Sequence, residues 1–172
     1  MNIAKILTIV SFAALTLRSL AIEPADLYGT WRLVSYTSTI VATGERSNLL
    51  GPTPTGFLSY GADGRMSAIL GDSSRPNPPD LAKVTDEQRL KLYRTMNAYA
   101  GTFTLDGSTV THHVEISMNQ TWTGTDQVRH LTLDGDTLII RTNAQPRSFD
   151  GQVAVNELKW VKVKPAGQAK SK

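Results

Sequence analysis

Not one cysteine occurs in the chain, which excludes a disulfide, a thiolate nucleophile, a cysteine metal centre and lipid attachment through sulfur. Charge of one sign is also lacking. Lys5 and Arg18 fall in the first 21 residues, and the rest carries 16 basic against 15 acidic residues, or +1, so the chain offers no field for a nucleic-acid partner. A Gly-x-Ser-x-Gly elbow and a glycine-rich phosphate loop are missing, which removes the usual supports for a hydrolase triad or a nucleotide site. The long apolar run of a membrane span is absent too. Ile6 to Leu17 is shorter than the roughly 20 residues a bilayer requires. With Lys5 before it and Ser19-Leu20-Ala21 after it, this run reads as a secretory signal, residues 1–21, cleaved before Ile22. A secreted or periplasmic location follows as an expectation, with no stable membrane insertion after cleavage.

An exported chain without disulfides must be held by its own core. Residues 22–164 suffice for one domain with a continuous core, and 165–172 read as a disordered basic tail. Strands are expected from Leu27 to about Ala42, at Phe57–Tyr60, Met66–Leu70, Ala98–Leu105, Thr109–Met118, Thr123–Leu133, Thr137–Thr142 and Val153–Val163. Thr85-Asp86-Glu87-Gln88 is a capping box and predicts one helix to about Asn97. That makes eight strands, with the helix between strands 3 and 4. Such an order favours an all-β, antiparallel up-and-down barrel.

Barrel strands alternate between interior and solvent, so a polar residue in phase with the apolar set is a candidate for a ligand cavity. If Asp106-Gly107 is a two-residue turn, Phe103 opposes Val110, Gly101 opposes His112 and Tyr99 opposes Val114. His112 and Tyr99 then face inward, and His113, Glu115 and Ser117 outward. The same counting across Asp134-Gly135 pairs Leu131 with Leu138 and Arg129 with Ile140, which puts Arg129 inside and His130 outside. On the first strand Trp31, Leu33 and Ser35 share one face, Arg32, Val34 and Tyr36 the other. A metal site built from His113, Glu115 and His130 matches no recognised spacing, and neither metal nor cofactor is expected. Asn119-Gln120-Thr121 has the form of an N-glycosylation acceptor.

These residues carry a resemblance. Gly29-Thr30-Trp31 is similar to the opening of lipocalins. The wider set, Gly56-x-Leu58-x-Tyr60-x-x-Asp63-Gly64-Arg65-Met66, Tyr99-Ala100-Gly101-Thr102-Phe103, Val110-x-His112-His113-x-Glu115, Gly124, Arg129 and Leu158-x-Trp160, resembles the lipocalin-like domain family of bacterial and fungal proteins, a calycin-type barrel. The resemblance implies a ligand cavity without naming a ligand, and implies that Trp31 closes one barrel end beneath a cation, for which Lys162 is placed. Lipocalins proper carry their main helix after the last barrel strand. This chain does not.

The expected function is binding of a small hydrophobic molecule with an acidic or carbonyl group. Leu33, Leu58, Phe103, Val114, Leu131 and Ile140 would form the apolar wall, Tyr60, Tyr99, His112 and Arg129 would orient the ligand, and the helix would cover the mouth. No acidic residue falls in the inward phase, so a buried Arg129 calls for an anionic partner group. Two alternatives stand beside this reading. One is an isomerase or cyclase of secondary metabolism with His112 as general base and Arg129 stabilising an oxyanion. The other is a structural or interaction domain with a filled core. The sequence leaves the oligomeric state open.

Overall fold

The computed structural model describes residues 21–147 and 149–164. The expected leader as far as Leu20, and the tail from Pro165, lie outside the described residues. A short helix, α1 (Pro24–Leu27), leads into strands β1 (Gly29–Ile40), β2 (Arg46–Asn48), β3 (Thr55–Tyr60) and β4 (Arg65–Gly71). Helix α2 (Asp86–Arg94) comes next, then β5 (Met96–Asp106), β6 (Thr109–Ser117), β7 (Asp126–Asp134), β8 (Thr137–Thr142), β9 (Gln145–Pro146) and β10 (Val153–Lys162). Every pairing is antiparallel, and β1 pairs with both β3 and β10, so eight strands close a barrel in the order β1-β3-β4-β5-β6-β7-β8-β10. β2 and β9 are short additions that pair only with β1 and β10.

One element stands elsewhere than expected. The helix follows β4, not the third strand, because Arg46–Asn48, outside the eight strands expected from sequence, folds back on Thr37–Thr39 as an extra strand. The Thr85 capping box is present, with both the Gln88 N–H to Thr85 Oγ1 bond and its reciprocal. The helix ends at Arg94, short of Asn97, and buries none of its residues. Leu90 and Tyr93 are half exposed, and the Tyr93 hydroxyl donates to the Met118 carbonyl at 2.9 Å. None of its residues lines the cavity inside the barrel, so the helix does not cover the mouth as expected.

Both aspartate-glycine turns shift the pairing by two residues. Phe103 opposes His112 and Leu105 opposes Val110, while Arg129 opposes Thr142 and Leu131 opposes Ile140. A shift of two leaves every side chain on its face, whereas a shift of one would reverse it. Two β-bulges do reverse faces. Val34 is an extra residue in β1 opposite Leu33–Ser35, so Trp31 and Leu33 point inward before it, and Ser38 and Ile40 after it. Tyr36, expected outside, therefore turns inward. Glu115 is the extra residue in β6, and beyond it Ser117 is buried and Ile116 exposed, again the opposite of the simple alternation.

Gly101 sits across from the second bulge. A Cβ built there would overlap the His113 carbonyl and crowd the Glu115 amide, both of them backbone atoms that cannot swing aside. Gly101→Ala is therefore expected to cost about 3 kcal/mol by overpacking. Urea denaturation measures it, and an unchanged midpoint would refute the close approach.

One barrel end is sealed. Trp31 is buried, donates from Nε1 to the Leu27 carbonyl at 2.8 Å, and lies 4.3 Å from Lys162 Nζ, which also donates to the Asp26 carbonyl at 2.8 Å. Desolvation lowers the Lys162 pKa, against the favourable charges of Asp136 and Asp26. Above this cap Leu33, Met66, Phe103, Val110 and Leu138 fill the lower half of the barrel. The cavity occupies the other half.

Candidate functional site

The cavity measures about 340 Å³, within the range of small-molecule sites. Its floor is made by His112 of β6, placed by a strand whose inward positions run Val110, His112, Val114. Tyr60, from the end of β3, meets His112 Nε2 at 2.7 Å, and Tyr99, from β5, meets Nδ1 at 3.0 Å. Tyr99 stands edge-on to Trp122, with centroids 5.5 Å apart, and Arg129 Cζ lies 5.9 Å from the Trp122 ring centre. Arg129 donates to the Val128 carbonyl at 2.9 Å and to Gln127 Oε1 at 3.2 Å. It is only 6% exposed, and among the described residues no aspartate or glutamate lines the cavity around it.

These contacts assign the protons. A neutral imidazole offers one donor and one acceptor. Tyr60 Oη is buried and has His112 as its only hydrogen-bond partner among the described residues. Its O–H must therefore donate to Nε2, because the opposite tautomer leaves that proton without an acceptor in the core. Nδ1–H then donates to Tyr99 Oη, and the Tyr99 proton is free to point into the cavity that Tyr99 lines.

Electrostatics agree with that arrangement. Burial, with the Arg129 and His113 charges adding to it, pushes His112 down to about 3, so it is neutral in the folded protein. Burial holds Tyr60 and Tyr99 above the ordinary phenol range, although the Arg129 charge pulls Tyr99 the other way. Tyr36 is raised by burial to about 12. All three remain phenols at neutral pH, donors rather than anions.

Tyr99, His112 and Arg129 thus line one cavity together with Leu58 and Ile140. Tyr60, Leu33, Phe103, Val114 and Leu131 do not line it; they are buried behind its floor and walls. Tyr36, Trp122, Thr142 and Asn156 were not expected to line it and do. The mouth is edged by Gln145, Pro146, Arg147 and Phe149 from the β8–β10 connection, where Arg147 is neutralised by Asp150 and stacks on Phe149 at 4.7 Å. Thr142 and Asn156 lie in the inward phase of β8 and β10, so alternation could have found them. Tyr36 needed the bulge, and Trp122 sits in a 3-10 turn that has no alternation to read.

The outward residues do not converge. His113 is held between Thr104 Oγ1 at 3.0 Å and Asp126 Oδ1 at 2.7 Å, Glu115 pairs with Arg65, and His130 bonds Asn143. Each has its own partner on the solvated face.

Comparison with curated proteins gives no match. A family model for the lipocalin-like domain matches residues 28–163, from the tyrosine before β1 to the residue after β10, and so takes in the whole closed barrel, the capped end and the cavity. With that match over most of its length, the chain belongs to the lipocalin-like domain family.

Proposed function

We propose that the barrel binds one small, mainly apolar molecule whose carboxylate, enolate, phenolate or carbonyl oxygen is held by Arg129 and Tyr99. The observation that carries this reading is a buried guanidinium facing a cavity with no carboxylate on its wall among the described residues. A charge in that position is costly unless something of opposite sign meets it. Tyr99 adds an O–H donor whose direction is fixed through His112 by Tyr60. Aromatic and aliphatic side chains supply most of the rest of the lining, with Asn97, Thr142 and Asn156 as further polar groups and Gln145 and Arg147 at the mouth.

The same contacts disfavour the isomerase or cyclase reading. A general base works best with a pKa near the working pH, and His112, pushed down to about 3 with both ring nitrogens engaged by tyrosines, has little tendency to take a proton. His112 is a positioning residue for Tyr99. A filled core is disfavoured by the cavity volume.

Calorimetric titration with matched pairs, 2-naphthoate against 2-naphthylmethanol and decanoate against decanol, tests the proposal. The acids should bind at least about tenfold more tightly than the alcohols, as expected for a charge-assisted contact. Equal affinities, or no binding of any member below millimolar concentration, would refute it. Export remains part of the proposal, supported by Lys5, the apolar Ile6–Leu17 run and Ser19-Leu20-Ala21. N-terminal sequencing of protein recovered outside the cytoplasm should begin near Ile22.

A further inference from the structure

Four polar side chains, Arg129 among them, stand in one row across the inner wall. Arg129 of β7 opposes Thr142 of β8, the Asn156 backbone N–H of β10 donates to Thr142 Oγ1 at 3.0 Å, and Asn156 opposes Ser38 of β1. All four are buried, none more than 7% exposed. Interior positions that only fill space are apolar, as the Ile140 and Leu158 positions next in phase are. Within the row Ser38 Oγ and Asn156 Oδ1 have no hydrogen-bond partner among the described residues, while Thr142 and Asn156 line the cavity. A buried polar atom without a partner carries its full desolvation penalty, which a ligand group can relieve.

We infer that Asn156, backed by Ser38, is a second polar subsite, and that the ligand carries a hydroxyl group there in addition to the oxygen held by Arg129 and Tyr99. This rests on the binding reading given above. A hydroxyl fits because it both donates and accepts, and so satisfies the Asn156 amide whichever of its two ends faces the cavity. Spacing narrows the class further. The backbones of β7 and β10 are separated by β8, two strand spacings or about 10 Å, a span that a fused bicyclic ring carrying the hydroxyl and the acidic group at opposite ends can bridge. The ligand class is a hydroxy acid or hydroxy carbonyl compound with a rigid or semi-rigid apolar centre.

Two probes separate this subsite from the anchor: 2-naphthoate and 6-hydroxy-2-naphthoate, titrated into the full chain. The wild type should prefer the hydroxylated acid by about fivefold, the value of one neutral hydrogen bond. Asn156→Leu should lose the preference and bind the two acids equally. Its ligand-free Tm should be unchanged or higher, because no protein group loses a partner. A retained preference in Asn156→Leu overturns the inference, as does a lowered Tm, which would reveal a structural partner for the amide. If the wild type binds both acids equally, the subsite fails while the anchor stands; if it binds neither, the cavity reading fails with it.

Discussion

Arg129→Met is expected to weaken binding of an apolar carboxylate such as 2-naphthoate by about 100-fold, the range of a hydrogen bond to a charged group in a dry site. The same change should raise the Tm of the ligand-free protein by about 3 °C. Both effects have one cause. In the ligand-free barrel the guanidinium is buried among the Val128 carbonyl, the Gln127 amide oxygen, the Tyr99 hydroxyl and the Trp122 ring, all of them uncharged, so its desolvation is not balanced by an opposite charge. Methionine has a similar length, fills irregular space and can keep the contact with Trp122. Titration calorimetry and thermal melts on the two proteins read both quantities. Unchanged affinity with a Tm several degrees lower would assign Arg129 to barrel structure and not to a ligand.

His112→Gln should flatten the acid limb of the stability curve. Unfolded, the imidazole titrates near 6.5; folded, it titrates near 3, chiefly because burial disfavours the cation. Between those values the unfolded state binds the proton and the native state does not, so stability falls as pH falls through that window and is fully present only above about 6.5. From pH 7 to pH 5 the wild type should lose about 2 kcal/mol from this group alone. Glutamine has no such titration, yet can accept from Tyr60 and donate to Tyr99. The carboxylates are common to both proteins, so the difference between their urea midpoints at the two pH values isolates His112. Parallel curves would mean that His112 is protonated in the fold, which would undo the proton assignment that aims Tyr99 into the cavity.

The barrel was legible because its signals are local and repeated. Alternating strands, two aspartate-glycine turns and the Gly29-Thr30-Trp31 opening each persist over enough residues to survive a small error. The turns show how: both pairings are displaced by two residues, yet His112 and Arg129 keep the interior face because the pleat repeats every two. The helix was misplaced in strand order for the opposite reason. Arg46–Asn48 has no hydrophobic alternation and becomes a strand only because the edge of β1 beyond its contact with β3 is free to receive it.

By itself the sequence determined an all-β antiparallel barrel and an interior that holds a histidine and an arginine, while its resemblance to lipocalins implied the cap of Trp31 and Lys162. Period-two patterning and turn chemistry act between near neighbours, so they can be read from the order of residues. Tertiary structure decided what those residues amount to. An extra residue at Val34 or Glu115 leaves no mark in composition, but it turns Tyr36 and Ser38 inward and Ile116 outward. Closure of the sheet joins β1 to β10, and only then do Ser38, Asn156, Thr142 and Arg129, which lie far apart in sequence, stand in one row. The cavity and its polar wall exist because strands from both ends of the chain meet, and no local pattern encodes that meeting.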